Sequence, residues 1–446
     1  MTAIAHKFDE VLERRHWRWA TLTSLADYID AGSIVAGGAS LTLWTQSYSM
    51  GATTVGLLAA FSSNAISTGI GALLGGRFGD LLGRKRIYSY DLLVYCFGML
   101  WIIFAQNVPM LFVGYIIAGL AVGADVPTSW SLISELSPSK ARGKLMGLTN
   151  IFWYIGPIVT LAIALGVAPL GLLGARLLFA HLFVVGIVTW WLRRRIIESP
   201  RWSVETGHAE HERPKVAATM NMSPLRGLLR GRNARNLAFM MVIFTLWNIP
   251  AGTFGFFLPT IISSVGKQGT VVSDGIQGIW FVSSILTVAF IFMPLGDRLS
   301  RKWLYGISAV GQTIPFVLLA IFPLHGMAML IGPILLYGLA QGAGQWPLLR
   351  IWSVELFPTM LRNTAQGAIF CVMRILLGVW SFVVPLLLAG AGLHELAWIL
   401  AAMMFVTVVV GIAFGPSSQG MTLEQIQERY GSGAETPPTP REAPAG

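Results

Sequence analysis

Long apolar runs separated by short polar connections dominate the 446-residue chain. A hydrocarbon layer about 30 Å thick is crossed by a helix of about 20 apolar residues. Twelve such runs occur, at 19–44, 53–75, 88–106, 109–135, 143–167, 172–193, 237–265, 274–296, 303–323, 327–353, 363–390 and 395–415. The pattern predicts an all-α membrane protein with twelve transmembrane helices.

Composition and charge support a multi-pass membrane protein. Hydrophobic residues make up 54% of the chain and charged residues only 12%. The net charge of +10 would also suit a nucleic-acid partner, but 27 of the 31 Lys and Arg lie at the two termini or in the connections that follow even-numbered spans. By the positive-inside rule, both termini are expected on the cytoplasmic side of a cytoplasmic or plasma membrane. The basic excess is therefore a topology signal, and we expect no nucleic-acid partner.

The sequence divides into two related halves. A polar insert separates them, which predicts an N-terminal bundle at 1–193, a cytoplasmic linker at 194–236, a C-terminal bundle at 237–416 and a partly disordered cytoplasmic tail at 417–446. The segment "SELSPSKARGKLMG" at 134 recurs as "VELFPTMLRNTAQG" at 354, and "GDLLGRKR" at 79 recurs as "GDRLSRKW" at 296. Two repeats in the same order predict pseudo-symmetric six-helix bundles with a central site that is exposed alternately on each side.

The repeated motifs carry a specific resemblance. "GGRFGDLLGRKR" resembles the loop signature of the major facilitator superfamily. "ISELSPSKARG", "IIESPRW", "VELFPTMLRNTAQG" and "MTLEQI" are similar to its sugar-porter-like branch, which includes metabolite and organic-ion carriers. The resemblance implies the major facilitator fold and a secondary transporter rather than an enzyme. No cofactor is expected, and a proton gradient is the expected driving force.

The repeated acid–glycine–base pattern predicts a gate between the halves. Glycine permits a tight turn, and the acid can bond a neighbouring helix end or a basic side chain. The alternative is a set of topology anchors and helix caps. The predicted gate residues are Asp80, Gly83, Arg84, Lys85, Arg86, Glu135 and Arg142 in the first half and Asp297, Arg301, Lys302, Glu355 and Arg362 in the second.

Acids at membrane depth are the candidates for proton coupling, because a buried charge is costly unless it is paired or hydrated. Asp30 lies twelve residues beyond Arg18, about 18 Å along a helix, and Asp125 is about 15 Å deep. Asp27 shares a helix face with Asp30, and two close acids favour protonation of one. Asp30 also matches the acid of proton-coupled relatives, although Tyr115 stands where many of them have an arginine. The alternatives are a structural acid for Asp30 and, for Asp125, binding of a cationic substrate or an arginine pair.

Arg374 lies about 18 Å deep in the eleventh span. It resembles an intramembrane arginine of metabolite and organic-anion carriers, where a guanidinium fork would suit a carboxylate. The alternative is a permanent ion pair with Asp30 or Asp125. Arg350 lies near the end of its span and is expected to extend toward the cytoplasm.

Polar and aromatic residues at mid-span complete the predicted substrate site with Arg374, although each alone is more typical of helix packing. They are Asn150, Tyr154, Trp247, Asn248, Gln341, Gln345 and Trp346. The sequence thus predicts a monomeric transporter that takes up a sugar, polyol, sugar acid or other organic acid together with protons. An organic-ion or drug exporter is the alternative, and a non-transporting membrane sensor is a third possibility. The partners are the bilayer, protons and the small-molecule substrate.

Overall fold

The computed structural model describes residues 12–61, 65–194, 196–199, 202–203, 223–264, 266–323 and 326–430, and these parts contain helices and no strand. The first six spans are α1 (Arg14–Ser47), α2 (Ala52–Ala60 and Ile66–Leu82), α3 (Arg84–Ile103), α4 (Val108–Leu136), α5 (Arg142–Val167) and α6 (Leu172–Arg193). The second six are α7 (Gly231–Ser264), α8 (Thr270–Thr287, Val288–Phe292 and Met293–Leu295), α9 (Arg301–Ile321), α10 (Gly326–Ala340, Gln341–Gln345 and Trp346–Glu355), α11 (Thr359–Gly390) and α12 (Leu393–Phe414). The predicted all-α fold is confirmed.

Ten of the described helices are long and apolar enough to cross a membrane by length and composition. The other two spans, α1 and α2, fall short for local reasons. α1 carries two acids and several hydroxyl residues within its apolar run, and α2 is described in two shorter pieces. Both α8 and α10 contain a π-helical turn, at Val288–Phe292 and Gln341–Gln345, a feature that is frequent at functional sites.

Each half packs as a bundle, and the halves meet where α2 contacts α11 and α5 contacts α8. Glycines let the first pair of backbones touch. A Cβ atom on Gly76 would lie 2.2 Å from the Asn363 carbonyl oxygen, and one on Gly367 would lie 2.2 Å from that of Ala72. Side chains at these two positions would force the halves apart.

The connections α2–α3, α4–α5, α8–α9 and α10–α11 gather at one end of the molecule, here called the gate end. Within the predicted linker, the described part includes a short helix, Ser223–Leu228. Within the predicted tail, the helix Leu423–Tyr430, here called the tail helix, docks at the gate end, where Gln427 donates to the Glu355 carbonyl oxygen at 2.6 Å. Residues 204–222 and 431–446 lie outside the described residues, and so does the predicted disorder of the last segment.

Candidate functional site: a mirrored gate and a central pair of acids

Asp80 joins the first half to the N-terminal end of α11. Its Oδ1 accepts from the Asn363 backbone N–H at 3.3 Å, and its Oδ2 accepts from the backbone N–H and the hydroxyl of Thr364, each at 2.7 Å. A carboxylate near the N-terminus of a helix interacts favourably with the helix dipole. The predicted gate acid therefore acts as a cap provided by one half to a helix of the other.

Asp297 repeats this arrangement in the opposite direction. Its Oδ1 accepts from the Gly143 backbone N–H at 2.9 Å, and its Oδ2 accepts from that of Lys144 at 3.2 Å. Both donors lie in the first turn of α5, in the first half. The internal repeat in the sequence thus becomes a reciprocal pair of caps across the interface.

Glu135 is the centre of the first ion network. It contacts Arg84 at 3.1 Å within its own half and Arg362 at 2.5 Å from the other half. Arg84 also contacts Asp80 at 3.3 Å and donates to the Thr359 carbonyl oxygen at 2.6 Å. Because these side chains are almost fully buried, each charge depends on the others for compensation.

Glu355 occupies the equivalent position in the second network. It contacts Arg301 at 2.6 Å and, across the interface, Arg142 at 2.8 Å. Ser418, just before the tail helix, donates to Glu355 Oε2 at 2.6 Å and accepts from Arg301 at 3.0 Å. The two networks hold the gate end closed in this structure.

Gly83 and Glu198 form the turn into α3. Gly83 has a φ of +93°, which favours glycine, and a Cβ atom there would lie 2.5 Å from Glu198 Oε2. Glu198 accepts from the first two backbone N–H groups of α3 at 3.1 and 3.0 Å, and burial raises the pKa of its carboxyl. Three basic residues of the predicted gate have side chains that make no ion pair within the described residues: Lys85, Arg86 and Lys302.

Asp27 and Arg350 form an ion pair between the halves at the centre of the molecule. Their closest atoms are 2.5 Å apart, and Asp27 also accepts from the Trp130 indole N–H at 3.3 Å. The Arg350 guanidinium donates to the Thr149 hydroxyl at 2.6 Å and lies 4.1 Å from the Trp130 ring and 4.6 Å from the Trp346 ring. The prediction that Arg350 extends toward the cytoplasm is wrong, because its side chain is fully buried against these partners.

Asp30 has a matching environment one helical turn away. Its Oδ2 accepts from the Trp153 indole N–H at 3.1 Å, and Arg374 of α11 is the cation that acts most strongly on it. Each central acid of α1 thus accepts a hydrogen bond from a tryptophan of its own half and interacts electrostatically with an arginine of the other. Of the two partners considered for Arg374, Asp30 is the acid that acts on it electrostatically.

Asp125 has its own arginine within the first half. Arg193 Nη1 donates to Asp125 Oδ1 at 3.2 Å and to Oδ2 at 3.1 Å, and the Ser129 hydroxyl also donates to this carboxylate. From the sequence, Arg193 counts only as a topology charge at the end of a span, yet its side chain is 1% exposed. Its position at the end of an apolar run gave no signal of this pairing.

Aromatic rings fill the centre between the two halves. Trp346 stacks on Trp247 with ring centroids 4.4 Å apart, and it meets Trp153 of the other half at 6.0 Å. Trp153 in turn meets Tyr154 edge to face at 5.3 Å. The predicted residues Trp247, Trp346 and Tyr154 therefore belong to the aromatic region beside the central charges.

The predicted amides differ in their placement. Asn150 Oδ1 and Asn248 Nδ2 are buried and have no hydrogen-bond partner in the described part of the chain. Gln341 accepts from the Trp280 indole N–H at 2.5 Å.

Gln345 lies inside the second half. It donates to the Tyr305 hydroxyl at 3.1 Å and the Thr407 hydroxyl at 3.0 Å, and it accepts from Gln312. Its predicted role as a substrate ligand has no support from this geometry, because its amide is already engaged between α9, α10 and α12.

Reciprocal caps, paired ion networks and a central charged site between two six-helix bundles define a membrane carrier of the major facilitator superfamily. The chain belongs to the family described as "Sugar (and other) transporter", which matches residues 39–430. It is 40% identical over 410 residues to the minor myo-inositol transporter IolF of Bacillus subtilis, covering 92% of this chain and 93% of that protein.

The fold is also that of solved transporter structures. The proton:xylose symporter XylE bound to 6-bromo-6-deoxy-D-glucose superposes with a TM-score of 0.79 at 19% identity, covering 93% of this chain and 99% of the other. The inward open conformation of XylE from E. coli superposes with a TM-score of 0.66 at 20% identity, covering 92% and 98%.

Proposed function

We propose that this transporter imports a cyclic polyol, such as an inositol, together with protons. The observation that carries the proposal is the compensation of charges at the centre: Asp27 forms an ion pair with Arg350, and Asp30 interacts electrostatically with Arg374. The similarity to a protein named as a myo-inositol transporter supports the same substrate class.

Charge compensation favours a neutral cargo. With both acids ionised, each central arginine already faces a carboxylate, so an anionic substrate would have to displace one of them. A polyol needs no counter-charge. Its hydroxyls can bond the free amide atoms of Asn150 and Asn248.

Asp30 is the proposed proton carrier because its compensation is weaker than that of Asp27. Asp27 forms a direct ion pair with Arg350 at 2.5 Å. Asp30 instead accepts a hydrogen bond at 3.1 Å from the Trp153 indole N–H, which is a neutral donor. Protonation of Asp30 removes one of two attractions between α1 and the second half. The halves then need less free energy to separate and expose the site on the other side.

Topology indicates the side from which substrate enters in this conformation. By the positive-inside rule, the gate end faces the cytoplasm. The closed gate end would then leave the outer side as the side from which substrate enters. An inward proton gradient would drive uptake in this orientation.

A carboxylate substrate is the second candidate, because protonation of Asp30 would release the Arg374 guanidinium to bind it. The net charge that crosses the membrane in each transport cycle distinguishes the two candidate substrates. A neutral polyol moving with one proton transfers positive charge, whereas a monoanion moving with one proton transfers none.

Uptake of labelled myo-inositol into proteoliposomes should therefore be driven by an inside-negative potential as well as by outside acid. Uptake that is independent of both the pH gradient and the membrane potential would reject proton coupling. Failure of myo-inositol to bind or be transported would reject the polyol assignment.

Asp30→Asn tests the proton carrier. The variant should lose accumulation driven by the pH gradient and retain substrate exchange within about twofold, because exchange needs no net proton movement. Asp274→Asn, an acid of α8 that lies outside the central pairs, is the matched control and should keep both activities. Gradient-driven accumulation by Asp30→Asn at the wild-type level would remove Asp30 from the coupling mechanism.

A further inference from the structure

A second group of buried charges lies inside the first half, where α3, α4 and α6 meet. Its members are Asp91, Asp125 and Arg193, and the exposed fractions of the two acids are 6% and 4%. Asp91 lies in an apolar span and was not singled out from the sequence, although an intramembrane acid is itself a functional signal. The central transport site and the gate do not account for it.

Arg193 is fully engaged and fixed in place. Besides its two bonds to Asp125, its Nη2 donates to the Thr23 carbonyl oxygen at 3.0 Å and its Nε donates to that of Leu22 at 3.3 Å. The Tyr88 ring lies 3.9 Å from the guanidinium carbon. This arginine supplies one positive charge to the group and has no freedom to leave it.

Asp91 brings a second negative charge that Arg193 cannot also compensate. Its Oδ1 accepts from the Leu92 backbone N–H at 2.6 Å. Its Oδ2 is buried and receives no N–H or O–H donor from the described residues, and the Asp91 carboxyl interacts with that of Asp125. Two carboxylates facing each other beside one guanidinium leave an uncompensated buried charge, and one proton between them turns the repulsion into a hydrogen bond.

A narrow cavity connects this group to the central acids. Asp27, Asp30 and Asp125 all line it, together with Tyr95, Ser129 and Trp130. The other titratable groups facing the pair are Tyr88 and Tyr95 on α3, Asp27 and Asp30 on α1, and Arg193 on α6. A proton leaving Asp30 thus has an acceptor in Asp125, which lines the same cavity.

We propose that Asp91 and Asp125 form a second proton-binding site, which holds one shared proton and passes protons between the central acids and the gate end. The O–H bond to the donor carboxyl breaks as a new O–H bond forms on the pair, so the proton changes place without any redox step. The transport part of this proposal rests on the proposed proton coupling. The binding of a proton at this site does not depend on that coupling.

Infrared spectroscopy of the purified, substrate-free protein tests occupancy directly. A protonated carboxyl has a C=O stretching band that a carboxylate lacks. Asp91→Asn and Asp125→Asn should each remove one such band near neutral pH, because the remaining carboxylate is compensated by Arg193. Asp274→Asn is the control outside the group. Unchanged carboxyl bands in both variants would overturn the shared proton, and the use of two variants covers the case in which one does not fold.

Transport measurements test the relay. In proteoliposomes, Asp91→Asn should slow pH-driven uptake by about tenfold or more while leaving exchange unchanged. Loss of the band with normal pH-driven uptake would show a structural proton and overturn the relay. If the wild-type protein shows no pH-driven uptake at all, the proposed coupling fails, while the infrared result still decides the proton site.

Discussion

Replacing Arg350 by methionine removes the cation of an ion pair that joins the two halves. The pair is 2.5 Å long, and its side chains are 1% and 4% exposed, so the remaining carboxylate has little access to water. Breaking a buried pair by removing one partner costs about 3–5 kcal/mol. Asp27 would keep only the Trp130 indole N–H at 3.3 Å, and it can lower the cost by taking up a proton. We expect the free energy of unfolding to fall by about 3 kcal/mol at neutral pH and by less in acid.

The partner substitution Asp27→Asn should cost less. Arg350 would keep the Thr149 hydroxyl at 2.6 Å and the two indole rings at 4.1 and 4.6 Å. The double variant should be more stable than Arg350→Met alone, because it leaves no unpaired charge. A double-mutant cycle from chemical or thermal unfolding in detergent gives the coupling energy of the pair.

The same pair stabilises the state with the gate end closed. A loss of about 3 kcal/mol from that state shifts the equilibrium by roughly 150-fold toward the open state. The rate of labelling of a cysteine placed at Ser137, which is 3% exposed at the gate end, reports this shift. Unchanged stability together with unchanged labelling in Arg350→Met would refute the inference that this pair holds the halves together.

Two further substitutions test the gate. Gly83→Ala should lower the free energy of unfolding by about 1–3 kcal/mol, since φ is +93° and the added Cβ would lie 2.5 Å from Glu198 Oε2. Gly231→Ala is the control for backbone strain without a clash, because its φ is +55° and no atom lies within 4 Å of the added Cβ. Equal losses of unfolding free energy at the two sites would argue against the clash. Ser418→Ala should weaken the closed gate by about 1.5–3 kcal/mol, because it removes a bond of 2.6 Å to the buried Glu355 carboxylate. Faster labelling of the gate end would show this, and an unchanged rate would mean that the tail contributes nothing to closure.

The sequence by itself determined the twelve spans, the division into halves and the gate acids. Apolar run length and motif repetition are local properties, and the membrane requires each span to satisfy its own backbone hydrogen bonds within a helix. The repeated motifs also identified Asp80 and Asp297, whose equivalent roles follow from their equivalent places in the two halves. Depth counted along a helix was enough to select Asp27, Asp30, Asp125 and Arg374.

Only the tertiary structure decided which charges meet. Arg350 pairs with Asp27, more than three hundred residues away in the chain, and Arg193 binds Asp125. Asp91 completes that second group only because α3 packs beside α4. Charge pairing depends on the rotation and contacts of helices that are distant in sequence, and neither apolar periodicity nor spacing encodes those contacts. The sequence therefore located the charged residues within the membrane spans, and helix packing determined how each charge is compensated.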